Sequence, residues 1–152
     1  MRTLRIVVSL ALLAAAPTAH AARGSAPQSS SNVALGLGAD YLVDPSSGEL
    51  QLTLAADTQL VRHATIGVRF GAAFLNDPNR FGVPVDARLR ISGSRLYAEG
   101  LVGPWLVFDS GDTVRMHAAF GFGLLTKSLS FGVEVGWLDP TSMIGLRLAF
   151  RI

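Results

Sequence analysis

The sequence contains no cysteine and a single lysine (Lys127), and only 16% of its residues are charged and 8% aromatic. Without cysteine there is no disulfide scaffold, so an exported chain of this composition must hold itself by packing and hydrogen bonds. Metal chemistry has little to draw on. His20, His63 and His117 are far apart and lack companion ligands, so no metal site is expected. Gly36-Leu37-Gly38 and Gly121-Phe122-Gly123 precede no helical pattern, so they lack the setting of nucleotide loops and no cofactor is expected. Helical periodicity is also absent beyond residue 21, and no apolar run reaches the ~20 residues that a spanning helix requires.

What the sequence has is an export leader followed by a long series of alternating runs. Met1-Arg2-Thr3-Leu4-Arg5 is basic, residues 6–16 are apolar, and Ala19-His20-Ala21 is a small-x-small cleavage site. Residues 1–21 therefore read as a signal peptide, with no cysteine at the cleavage site to carry a lipid. Loss of the leader removes Arg2 and Arg5, leaving 13 − 2 = 11 basic residues against 11 acidic ones. No basic stripe remains to neutralise phosphates, so nucleic acid is not an expected partner. Residues 22–31 are small, polar and proline-containing, and read as a flexible lead-in.

From residue 32 to 152 the period is two, the signature of strands with one apolar face. Val33, Leu35, Leu37, Ala39 and Tyr41 alternate with small or charged residues; so do Leu50, Leu52 and Leu54, then Ile66, Val68, Phe70 and Phe74, then Val83, Val85 and Leu89. A fifth run, 95–108, is the least regular, and a bulge or kink is expected at Gly103-Pro104. Pro84 is expected at a strand end, since it lacks a donor. Val114 to Leu124 gives a sixth run, and residues 128–152 form a closing hairpin around Asp139-Pro140-Thr141. Turn-forming clusters at 44–48, 76–80, 92–94 and 109–112 separate the others. The result is eight strands of about 9–11 residues, the length that crosses a tilted bilayer span. Eight is also the number at which side chains just fill a closed barrel.

The composition of the second face decides which side is out. It is glycine, alanine, serine and threonine with embedded charges: Asp40, Glu49, Asp57, Arg69, Asp86, Arg88, Arg90, Glu99, Arg115, Glu134, Arg147 and Arg151, together with His117. Six acids against six arginines suit an internal ion-pair network, since the guanidinium fork satisfies several acceptors in a confined space. The uninterrupted apolar face would aggregate in water but is required against lipid. The fold expected is therefore all-β: an eight-stranded antiparallel transmembrane β-barrel over residues 32–152. The alternatives are a soluble barrel or sandwich that binds an apolar ligand, and a narrow ion channel. Glu99 and Glu134 should each lie near an arginine across the lumen. Tyr41, Trp105, Phe108 and Trp137 are candidates for interfacial aromatic girdles. With both ends of the barrel periplasmic, the connections at 44–48, 76–80, 109–112 and 139–141 face outward and carry Asp44, Asp77, Asp109, Asp112 and Asp139. The opposite connections carry Arg62, His63 and Lys127.

Over residues 32–152 this pattern resembles the small eight-stranded bacterial outer-membrane barrels of the OmpA/OmpX type. The resemblance implies a bacterial outer-membrane location, the lipid bilayer as partner, a monomer with a plugged interior, and insertion by the machinery that reads the C-terminal strand. That family usually ends in an aromatic residue; here the chain ends on Ile152, with Phe150 two before it on the same face. Some barrels of this size are lipid A deacylases with a serine two residues after a lipid-facing histidine. Ala119 stands in that place after His117, which belongs to the inward face. Ser128, Ser130 and Glu134 on the next strand do not restore the pattern, so no catalytic residue and no enzyme is expected.

Overall fold

The computed structural model describes residues 31–44, 46–76, 79–108 and 113–152. The leader and nearly all of the lead-in lie outside these residues, as do Asp77, Asp109 and Asp112 of the expected outer turns. Among the described residues no helix is long and apolar enough to cross a membrane, which says nothing about strands.

Eight strands form one closed antiparallel barrel in sequence order. They are β1 (Ser31–Leu42), β2 (Ser47–Val61), β3 (Ala64–Asn76), β4 (Asn79–Ser92), β5 (Leu96–Phe108), β6 (Thr113–Leu125), β7 (Leu129–Leu138) and β8 (Thr141–Arg151). Ser31, placed in the lead-in by its composition, instead begins β1. Closure runs from Ala34↔Arg151 to Leu42↔Met143, so no strand edge of the barrel is left unpaired. Ile152 lies one residue past β8, yet its N–H still donates to the Val33 carbonyl at 2.9 Å.

The alternation sets the faces as the sequence predicts. Leu37, Leu50, Leu52, Val68, Phe70, Leu89, Phe120, Phe122, Leu146 and Phe150 are exposed on the outer wall, while the charged and small residues between them point inward. This is the reverse of a soluble barrel, which buries its larger apolar side chains.

Three local expectations are corrected. Gly103-Pro104 makes no bulge: β5 pairs with β6 continuously from Leu96↔Leu124 to Val107↔Thr113. Pro84 lies inside β4 rather than at its end, buried and in register with Trp105. Each proline instead leaves a gap in one ladder. The β3–β4 pairing skips from Phe70↔Val85 to Ala73↔Gly82, and the β4–β5 pairing skips from Pro84↔Trp105 to Ala87↔Val102, with register unchanged across both gaps. Gly103 permits the closeness: a Cβ there would collide with the backbone of Val85 and Asp86. The register irregularity falls at Gln59/Val61, at the end of β2, where the sequence alternates weakly. The third correction concerns the turn at 76–80, which is shorter than expected, with Asn76 already opposite Asn79. Phe81 extends β4, packing edge-on against Phe74 (5.4 Å between ring centroids) and stacking on Phe108 (5.9 Å).

Candidate functional site: the charged lumen

Period-two geometry projects one residue in two from every strand into the same narrow space. Arg69 on β3 is the hub. It stands in register with Asp86 on β4, and its Nε and Nη2 donate to Asp86 Oδ2 at 3.1 and 2.9 Å. Its other edge reaches across the lumen to β7, where Nη1 donates to Glu134 Oε2 at 2.6 Å. Arg147 on β8 meets the same carboxylate, through Nε (3.1 Å) and Nη2 (2.8 Å). It then continues to Asp40 on β1, with Nη1 donating to Oδ2 at 2.9 Å and Nη2 lying 2.7 Å from Oδ1. The space for the Asp40 carboxylate comes from Gly145, whose Cβ would overlap it. The Gln51 amide extends the chain, donating to Asp40 Oδ2 and Glu49 Oε1 at 2.8 Å each. At the other end Asp86 Oδ1 bonds His117 Nδ1 at 2.8 Å and accepts from Trp105 Nε1 at 3.2 Å.

A second group lies on β2, β4 and β5. Arg88 bridges Asp57 (2.9 Å) and Glu99 (2.7 Å), and Arg90 Nε donates to Glu99 Oε2 at 2.9 Å. The Arg90 guanidinium also sits 4.1 Å above the Tyr97 ring centroid, a cation–π contact. Burying so many charges costs several kcal/mol per ion, and only close, multiple pairing of this kind offsets it.

Of the residues singled out by sequence, eleven join these two groups: Asp40, Glu49, Asp57, Arg69, Asp86, Arg88, Arg90, Glu99, His117, Glu134 and Arg147. Arg115 and Arg151 share the inward parity but stay out: Arg115 is half-buried toward the rim of β6, and Arg151 is exposed at the end of β8. Glu134 does meet an arginine across the lumen. Glu99 meets its arginines on the adjacent strand instead, Arg90 being its register partner. Trp105 is no girdle residue. It is wholly buried in the lumen, with its ring centroid 4.8 Å from that of His117, whereas Tyr41, Phe108 and Trp137 do face outward. Continuing the count from Glu99 through Leu101 and Gly103 would have placed Trp105 inside; the expected kink broke that count. Gln51 was equally legible as the inward neighbour of Glu49.

A hydrolytic triad is not assembled around His117. Ser130 stands opposite Leu125, eight residues along β6 from His117, which itself stands opposite Leu138. Glu134 lies 3.7 Å from His117 Nε2, and Ala119 is half-buried. Among the described residues no group of three His, Cys, Asp or Glu side chains is placed to hold a metal. Within the lumen, a cavity lined by Thr53, Arg69, Arg88, Glu99 and Ser130 has a volume of about 30 Å³, room for a water or two but not a cofactor.

No family model matches the chain, and no curated protein sequence matches it. Solved structures do. A de novo designed transmembrane β-barrel superposes with a TM-score of 0.61 at 15% identity, over 80% of this chain and 95% of its own. The outer membrane enzyme PagL gives 0.58 at 15% identity, over 80% and 98%. Neisserial surface protein A, NspA, gives 0.52 at 10% identity, over 83% and 99%. One of these is an enzyme and another a surface protein, so the likeness does not extend to an activity. The chain has the closed eight-stranded antiparallel fold that outer-membrane barrels use.

Proposed function

We propose that this protein spans the bacterial outer membrane as a monomeric barrel, with a structural or surface-interaction role in the envelope and no catalytic one. Residues 1–21 act as the cleaved leader, residues 22–31 as a lead-in, and the β8 end engages the insertion machinery. The single observation that carries this reading is the distribution of polarity. The outer wall is a continuous apolar band, and the ionised groups are turned inward and paired. In hydrocarbon that arrangement leaves no strand edge open and no charge facing lipid. A soluble barrel binding an apolar ligand needs the opposite distribution and an empty interior. Connections of two to four residues join the strands at both ends, which favours a compact structural element over a long-looped adhesin.

Cell fractionation followed by cold and heated gel migration in detergent tests the reading. The expected result is extraction only by detergent and a faster-migrating folded form that disappears on boiling. Release by salt or osmotic shock would overturn it.

A further inference from the structure

The lumen is not uniform along its axis. At the end bearing the β1–β2, β3–β4, β5–β6 and β7–β8 connections it is filled by Leu42, Leu75, Trp105, Val107, Leu138 and Met143, with Ala73 beneath them, none more than 2% exposed. These come from β1, β3, β5, β7 and β8. Of the strands between, β2 and β4 contribute the small or compact Ser47, Gly82 and Pro84 at this level, so large side chains interdigitate over small ones. Glu49 on β2, in register with Leu75, and Arg115 on β6, in register with Trp105, border the layer. At the opposite end many inward positions are small, Ala34, Gly36, Ala55, Gly67, Gly132 and Ala149, beside the larger Arg90, Tyr97 and Leu125, and a cavity of about 30 Å³ lies among them. Exposure follows the same axis. The Asp86, His117 and Glu134 side chains, beneath the apolar layer, are 0% exposed. Arg147, Asp57 and Arg90, nearer the chain termini, are 10%, 10% and 12% exposed.

We propose that the apolar layer is the septum that seals this barrel, and that water and small ions reach the charge network only from the terminal end. The inference rests on the reading of the chain as a membrane-spanning barrel. Its physical basis is the difference between the two candidate seals. An ion-pair layer can exchange its protein partners for water and passing ions. A layer of Leu, Met, Val and Trp side chains offers an ion nothing, so the ion must shed its hydration to pass. Trp105 joins the two layers. Its ring belongs to the septum and its Nε1 donates to Asp86, so the septum is anchored on the network below it.

The chain has no cysteine, so single-cysteine variants report accessibility directly. Refolded protein in liposomes is first checked for the heat-modifiable form, which reads insertion separately from sealing; failure to insert would overturn the membrane reading and this one with it. A small charged thiol reagent should then modify Ala149→Cys at least tenfold faster than Ala73→Cys. In planar bilayers the unaltered chain should show no conductance steps, while Trp105→Ala and Met143→Ser/Leu138→Ser, each confirmed as folded, should show resolvable steps. The proposal is overturned if folded septum variants remain silent, if Ala73→Cys reacts as fast as Ala149→Cys, or if Glu134→Gln alone opens the barrel while the septum is intact.

Discussion

The two charge groups of the lumen differ in reach. The Arg69 group joins strands on opposite sides of the barrel, β3 to β7, and links β1, β2, β4, β6 and β8 as well. The Arg88–Arg90 group lies along one side of the wall on β2, β4 and β5. Asp86, His117 and Glu134 of the first are shielded beneath the septum, whereas Arg147 at its edge and Asp57 and Arg90 of the second lie closer to the terminal opening and keep some solvent. They differ in balance too. The second pairs two arginines with Asp57 and Glu99. In the first, Arg69 and Arg147 face Asp40, Glu49, Asp86 and Glu134, with His117 beside them. Ties across the bore brace the barrel as a whole, and ties along the wall strengthen strand pairs that the backbone ladder already holds.

Breaking the tie across the bore should have the largest effect. Glu134→Ala leaves Arg69 to Asp86 and Arg147 to Asp40 but removes the buried carboxylate that the two guanidiniums share, and a loss of about 3–5 kcal/mol is expected in urea unfolding of the barrel in lipid. Arg90→Ala should cost less, on the order of 1–3 kcal/mol, because Glu99 retains Arg88 and the residue removed is the most exposed of the group. Equal losses for the two would erase the distinction between bracing and wall. Glu49→Gln should have the smallest effect, within about 0.5 kcal/mol. Glu49 bonds Gln51 but no guanidinium, and its Oε2 has no hydrogen-bond partner. A loss comparable to that of Glu134→Ala would show that Glu49 has a cationic partner in the folded barrel and would join it to the bracing group.

Much of this architecture was legible from period two alone, because each strand has only two faces and their compositions differ sharply. Strand number, the outward Leu, Val and Phe residues, and the inward parity of the charged set all follow from it. Pairing did not follow, since parity places Arg69 and Arg115 on the same inward face but not at the same height. The septum was hidden for a related reason. Its members are inward residues near the ends of several strands, one or two from each, too few on any strand to change the composition of its inward face. Trp105 and Val107 were lost at Gly103-Pro104, where two backbone irregularities suggested a kink that the ladder absorbs as a gap.

The chain has two tryptophans, and the fold puts them on opposite faces: Trp137 is 42% exposed on the outer wall and Trp105 is 0% exposed in the lumen. Fluorescence quenching by brominated acyl chains, measured on Trp105→Phe and Trp137→Phe variants folded into liposomes, therefore reads the face assignment and the membrane setting together. Strong quenching is expected where only Trp137 remains and little where only Trp105 remains. Quenching of Trp105, or an unquenched Trp137, would contradict that assignment.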